Sequence, residues 1–105
     1  MRRNIYMIFD SAAAIYMGPL VNRADGEALR EFEAAAVNPE TKIGQNPEDF
    51  SLYKVGSFDD HDGELVAENK VCLATAQEMV AKARSKESVR AGQEELKVVN
   101  PGGTA

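Results

Sequence analysis

The first strong pattern in the chain is a run of apolar and aromatic side chains at residues 5–9, directly after Asn4. It has no polar alternation, which is typical of a strand that is covered on both faces and central in its sheet. After Asp10, residues 14–17 predict either a second short strand or, with the alanines before them, one turn of helix. Gly18-Pro19 then predicts a turn.

Helical spacing appears next. Asp25 is a plausible N-cap, and Leu29 and Phe32 follow at intervals that place them on one face of a helix. The pattern predicts a helix over residues 26–37 that ends at Asn38-Pro39, because proline disfavours the helical conformation of the residue before it. The sequence of residues 46–49, with proline after asparagine, predicts a single helical turn.

Residues 51–58 alternate between two faces, with Tyr53 and Val55 on one face and Leu52, Lys54 and Phe58 on the other. Residues 59–63 are rich in aspartate and glycine, which favour turns. Residues 64–67 can return as the antiparallel partner strand. This segment therefore predicts a β-hairpin, which we expect to neighbour the strand at residues 5–9.

A last helical pattern begins at Ala74 or Thr75 and places Met79 and Val80 on one face. It fades beyond Ser88, and residues 89–105 are predicted to be mostly disordered. The sequence as a whole predicts one α+β domain over residues 1–88, with a small antiparallel sheet, a β-hairpin and one or two packed helices. The last of these helices is expected over residues 74–88.

Charge and composition narrow the possible functions. The chain has 105 residues, a net charge of -5 and one cysteine. Residues 24–69 hold twelve acidic and three basic residues, which argues against a protein whose whole surface binds phosphates. The apolar stretch near the N-terminus is interrupted by Asp10 and Ser11 and is too short for a membrane span. Together with the single cysteine, this predicts a cytoplasmic protein without a membrane segment.

The familiar catalytic and metal-binding patterns are missing from the sequence. The single histidine, His61, lies in the acidic turn, while Cys72 follows the returning strand, so a catalytic pair of the two is not expected. Two such side chains are too few for a structural zinc site. The aspartates around Gly63 fail the calcium-loop pattern, which would place Phe58 and Asn69 at its first and last ligand positions. We therefore expect no enzymatic activity, no metal and no cofactor.

With catalysis and metal binding not expected, the remaining function that the sequence suggests is a binding surface. Proteins hold single-stranded nucleic acid with aromatic rings that stack on bases and with cations that contact phosphates. The candidates are Tyr6 with Arg2 and Arg3, and Tyr53 with Lys54. The alternative is that both tyrosines pack at the edge of the core. Strand alternation also places Tyr53 and Lys54 on opposite faces.

Three stretches of the sequence carry a family resemblance: residues 3–11 (RNIYMIFDS), residues 34–39 with the segment NPEDFSLY at 46–53, and VGSFD at 55–59 with Gly63. They resemble the small nonstructural protein of gokushoviruses, which are single-stranded DNA phages of the Microviridae. The likeness covers roughly residues 3–68, and PEDFSLY is its most specific part. Residues 74–105 depart from it, so the resemblance implies nothing about them.

The resemblance implies a viral accessory protein in the cytoplasm of the bacterial host. Such a protein would bind single-stranded DNA and assist replication, or the switch to single-strand synthesis and packaging, together with viral replication or packaging proteins. The alternative is an acidic adaptor that docks on the replication initiator or the procapsid without touching DNA. A strand as apolar as residues 5–9 further predicts a homodimer that covers or extends the sheet.

Overall fold

The computed structural model describes residues 1–88, and the expected disorder of residues 89–105 lies outside that range. The strands are β1 (Arg2–Asp10), β2 (Ile15–Asn22), β3 (Phe50–Asp59) and β4 (Leu65–Thr75). The helices are α1 (Asp25–Val37), α2 (Lys42–Gln45), a 3-10 turn (Pro47–Asp49) and α3, which covers residues 76–88. All strand pairs are antiparallel, in the order β2-β1-β3-β4. This confirms the α+β class.

Strand β1 is central, as its sequence predicts, but the described helices cover only one of its faces. Tyr6 is fully buried beneath α1, and Ile8 packs against the same core. Ile5, Met7 and Phe9 alternate with them and remain partly exposed on the other side of the sheet. The expectation of cover on both faces is therefore wrong for residues 1–88. An apolar run in the sequence shows that neither face of the strand carries charged side chains, but it does not show that both faces are covered.

The predicted turn at Gly18-Pro19 is wrong, because both residues lie inside β2. They occupy a register shift where β2 has one more residue than β1. Strand β2 is at an edge of the sheet. Proline has no N–H group to donate, and at an edge this leaves no carbonyl group of a partner strand without a donor. The reversal instead uses residues 11–14, with Ala14 at a φ of 56°.

Helix α1 ends before Asn38-Pro39, as predicted, but its start differs from the expectation. Ala24 occupies the N-cap position without a side-chain hydrogen bond. Asp25 accepts a hydrogen bond from the Tyr6 hydroxyl at 2.6 Å, so its carboxylate joins α1 to β1. The buried face of the helix presents Ala28, Phe32 and Ala36 to the sheet.

The predicted hairpin is present as β3 and β4, with β3 next to β1. The register between β1 and β3 shifts at Val55, where β3 carries an extra residue. Beyond this bulge the alternation reverses, so Phe58 pairs with Arg3 and lies on the same face as Tyr53. The sequence alternation had placed Phe58 on the opposite face, and the bulge explains the error.

The connection from α1 to β3 contains α2, which the sequence pattern did not predict. Thr41 caps it by accepting a hydrogen bond from the Gly44 amide at 2.9 Å. The predicted helical turn follows as the 3-10 segment. At the same end of the sheet, where β4 ends, Thr75 Oγ1 accepts a hydrogen bond from the Glu78 amide and begins α3. Within residues 1–88, no helix is both long and apolar enough to cross a bilayer.

Candidate functional site

The most distinctive surface of the molecule is the side of the sheet that faces away from α1, here called the open face. Alternation along the strands and their register place a mostly apolar set of side chains on it, together with Arg3, Ser51 and Thr75. Its apolar members are Ile5, Met7, Phe9, Tyr16, Val21, Tyr53, Val55, Phe58, Leu65, Ala67 and Cys72. Tyr16 and Val21 are each at least 40% exposed. Such a contiguous exposed patch is typical of a binding surface.

Three aromatic rings from three strands meet on the open face and form the aromatic cluster. Phe9 and Tyr16 are direct cross-strand partners, and their ring centroids are 4.8 Å apart with a tilt of 41°. Tyr53 stands edge-on to both rings, 6.4 Å from Phe9 and 5.8 Å from Tyr16. These distances lie in the range of favourable aromatic contacts. The rings therefore support one another and keep a defined geometry on the surface.

Lys70 contributes a positive charge to this cluster from the opposite edge of the sheet. Its Nζ lies 5.3 Å from the centroid of the Tyr16 ring, in the geometry of a cation–π contact. Strands β2 and β4 are edge strands separated by two others, a distance of roughly 14 Å in a flat sheet. The two side chains thus reach towards each other across the open face, and no carboxylate in residues 1–88 forms an ion pair with Lys70.

Below Lys70 and Tyr16 the open face forms a groove of about 420 Å³, here called the apolar groove. Ile5, Met7 and Val55 line it from the central strands, and Leu65 lines it from β4. A bulge in β4 places Glu68 and Lys70 along the same groove. The volume falls within the range of small-ligand sites.

Tyr53 is the one predicted site residue that lies in the aromatic cluster. It pairs with Cys72 across β3 and β4. The neighbouring Cys72 and, secondarily, burial raise the pKa of the Tyr53 hydroxyl. Its phenol is therefore neutral at physiological pH, which suits a ring that stacks on a ligand.

Tyr6, the other predicted stacking residue, points into the core and has no exposed surface. Its hydroxyl donates to Asp25 and accepts from the Asn4 side-chain amide at 3.0 Å. A ring packed on both sides has no face that a base could contact. Its position matches the packing alternative, and its hydroxyl links the sheet to α1.

Of the three predicted phosphate contacts, Arg3 alone lies on the open face, where it pairs with Phe58. Arg3 donates to Asp60 at 2.9 Å. Arg2 donates to Ser57 and lies 3.7 Å from Glu64. Lys54 pairs with Tyr6 in the register and thus lies on the helix side of the sheet. Both arginines therefore have carboxylates that offset their charge.

The acidic turn is held together with the N-terminus. The Met1 amino group lies 3.0 Å from Asp60. Its hydrogen bond, together with that from Arg3, lowers the pKa of Asp60. The pKa of Asp59 is also lowered, first by a hydrogen bond from the His61 amide. In residues 1–88, no group of three or more histidine, cysteine or carboxylate side chains could hold a metal ion.

Sequence reasoning missed Phe9, Tyr16 and Lys70. Phe9 could have been found from the sequence, because the alternation of a strand places it on the same face as Ile5 and Met7 and on the opposite face from Tyr6. Tyr16 becomes its partner only through the register of the β1–β2 hairpin. No sequence feature near Lys70 identifies it as a candidate site residue, because its contact with Tyr16 spans 54 residues and the full width of the sheet.

Comparison with known proteins gives one finding. The family model described as Phage ORF5 protein matches residues 3–79. This range contains β1 except for Arg2, the other three strands and the beginning of α3, and therefore the whole open face. No curated protein and no solved structure gives a significant match.

Proposed function

The chain belongs to the Phage ORF5 protein family, and from that premise we propose that it is a non-enzymatic phage protein that binds single-stranded DNA on its open face. The resemblance to the gokushovirus nonstructural protein suggests the setting. The protein would act in the bacterial cytoplasm, in viral DNA replication or in the switch to single-strand synthesis and packaging. Its partners there would be viral replication or packaging proteins.

The aromatic cluster is the observation that carries this proposal. Bases of any sequence can stack on Phe9, Tyr16 and Tyr53, and each stacked base contributes about 1 to 3 kcal/mol. A double helix keeps its bases stacked on one another, so such a surface favours single strands. Four-stranded sheets with aromatic residues on an open face hold two or three bases of RNA in this manner.

The dimensions of the open face agree with a short segment of single strand. Four strands of about nine residues make a surface roughly 30 Å long and about 19 Å wide. The flat outline of the face is therefore about 600 Å². Such an outline has room for a few nucleotides.

The distribution of charge predicts that stacking contributes more to binding than phosphate contacts do. Arg2 and Arg3 are offset by carboxylates, and Lys70 is the cation beside the aromatic cluster. One or two phosphate contacts on a single strand give a salt slope between roughly -0.7 and -1.4. We therefore expect modest affinity with a shallow dependence on salt.

The test is a fluorescence anisotropy titration of labelled single-stranded and duplex DNA across salt concentrations. Tyr53→Ala should weaken single-strand binding by about 5- to 150-fold, the effect of losing one stacking contact. Lys70→Gln should weaken binding and flatten the salt slope by about 0.7. Lys54→Gln removes the same charge from the other side of the sheet and is the matched control, with unchanged binding expected.

The absence of single-strand binding at low salt would exclude the proposal, as would equal binding by the wild type and Tyr53→Ala. Circular dichroism of each variant establishes that the fold is retained. A preference for duplex DNA would also contradict a stacking surface, because duplex bases are not available to the rings.

The acidic adaptor remains the second candidate, and the exposed carboxylates favour it. Asp60, Asp62 and Glu64 are exposed at the end of the hairpin, and Glu27 and Glu31 are exposed on α1. Such a surface would suit a basic protein partner. If DNA does not bind, a pull-down with the viral replication initiator is the experiment that tests this function. Charge reversal at Asp62 and Glu64 should then abolish capture.

A further inference from the structure

The apolar groove differs in character from the aromatic cluster beside it. The cluster offers flat rings, whereas the groove has an aliphatic floor formed by Ile5, Met7 and Val55. Tyr16 belongs to both, so a strand stacked on the cluster would pass directly over the groove. A segment of single strand on the open face therefore meets two different surfaces.

The groove is large enough for one nucleotide, and few of its side chains can form hydrogen bonds with a base. Its volume of about 420 Å³ is near the lower end for small-ligand sites. Apart from Glu68, Lys70 and the Tyr16 hydroxyl, the side chains around it are apolar. A base edge with amino or carbonyl groups would lose hydrogen bonds to water there without replacing them.

We propose that the apolar groove is a subsite for one thymine base, whose C5-methyl group rests on the aliphatic floor. This inference rests on the proposed binding of single-stranded DNA. Apolar side chains contact the thymine methyl group in other protein–DNA interfaces, and this group is the apolar feature on a base edge. Thymine can place it inward while the opposite edge stays in water.

One charge along the groove sets the position of the backbone. Lys70 attracts a phosphate, whereas the carboxylate of Glu68 accepts a hydrogen bond from Ser57 Oγ at 3.4 Å and is thereby drawn towards the helix side of the sheet. The phosphate of the bound nucleotide therefore lies on the Lys70 side, next to Tyr16. This arrangement lets one nucleotide contact the groove with its base and Lys70 with its phosphate.

The experiment compares oligo(dT) with oligo(dU) of the same length, both built on deoxyribose, so that the C5-methyl group is the only difference. Anisotropy titrations at one salt concentration measure the ratio of the two affinities. We expect oligo(dT) to bind about three to five times more tightly, the effect of burying one methyl group. Oligo(dC) should bind no better than oligo(dU).

Val55→Thr replaces a floor methyl group with a hydroxyl at nearly the same volume. It should bring the dT-to-dU ratio close to one, because a hydroxyl in the floor no longer favours the thymine methyl group. Val71→Thr is the matched control, because Val71 also lies in a strand but pairs with Lys54 on the other side of the sheet. It should keep the wild-type ratio.

The outcomes separate the two proposals. If the wild type binds oligo(dT) and oligo(dU) equally, the thymine subsite is excluded and DNA binding on the open face stands. If neither oligonucleotide binds at low salt, both proposals fail. Because the ratio is measured first on the wild type, the conclusion does not depend on whether Val55→Thr folds. A ratio that Val55→Thr leaves unchanged would also exclude the groove as the subsite.

Discussion

Tyr6 shows how much depends on the direction of one side chain. The same residue type lies on the neighbouring strand as Tyr53, yet Tyr6 is buried and Tyr53 faces out. Burial and then the hydrogen bond to Asp25 raise the pKa of Tyr6 to about 12. The hydroxyl is thus a structural donor, and its proton contributes to stability.

This pKa leads to a prediction about alkaline pH. In the unfolded chain the tyrosine loses its proton near pH 10, whereas in the folded protein it keeps the proton until about pH 12. The stabilisation is therefore complete below pH 10 and is lost as the pH rises from 10 to 12. The free energy of unfolding should fall more steeply for the wild type than for Tyr6→Phe, by about 2 to 3 kcal/mol in all.

Urea unfolding of both proteins at several pH values between 8 and 12 measures this difference. At pH 8 the variant should already be less stable by about 1 to 2 kcal/mol, because Asp25 loses a buried hydrogen-bond donor. The other tyrosines and the lysines titrate in both proteins, so their effect cancels in the comparison. Parallel pH curves for the two proteins would contradict the role assigned to the Tyr6 proton.

Among the elements, α1 provides the largest cover for the sheet. Phe32 is 1% exposed and contacts the core at the centre of the helix, while Leu29 is only partly buried beside it. Phe32→Ala should reduce the free energy of unfolding by about 3 to 5 kcal/mol, and Leu29→Ala by about 2 kcal/mol. Denaturant unfolding followed by circular dichroism gives both values.

Val37 supplies the control within the same helix, because its side chain is 45% exposed. Val37→Ala should change stability by no more than about 0.5 kcal/mol. A cost below about 1 kcal/mol for Phe32→Ala would show that the helix does not pack on the sheet as described. Equal costs for Phe32→Ala and Val37→Ala would lead to the same conclusion.

On the scale of the whole molecule, the open face is also the surface through which two copies would associate. The homodimer expected from the sequence stays a prediction. We expect light scattering at micromolar concentration to give about twice the chain mass of 11.4 kDa. Saturation with short oligo(dT) should shift the protein towards a one-to-one complex, because DNA and a second copy compete for the same face.

Two observations would contradict this competition. A monomer over a hundredfold range of concentration would exclude the dimer. A dimer that remains intact when oligo(dT) is bound would place the interface elsewhere, for example at the edge of β4. Tyr16→Ala is informative in both assays, since it removes an exposed ring of the open face and should weaken both self-association and DNA binding.

The sequence by itself determined the features that depend on neighbouring residues. The apolar run of residues 5–9 specified the central strand, Pro39 ended α1, and the turn residues at 59–63 specified the hairpin. Each depends on backbone preferences or hydrophobic spacing within a few positions, so the fold class and the order of most elements could be predicted. The identification of Tyr53 as a candidate site residue came from the same local pattern.

The tertiary structure alone decided which side chains form the site. A bulge at Val55 reverses the alternation of β3 and brings Phe58 onto the open face. The adjacent Gly56 is compatible with a bulge, but only the pairing with β1 fixes its position. The pairing of Phe9 with Tyr16 and the reach of Lys70 across the sheet depend on strand register and curvature. The charges of Arg2 and Arg3 are offset by carboxylates more than 50 positions away. Strand register and long-range contacts arise only when the whole chain packs, because a single-residue shift exchanges the two faces of a strand.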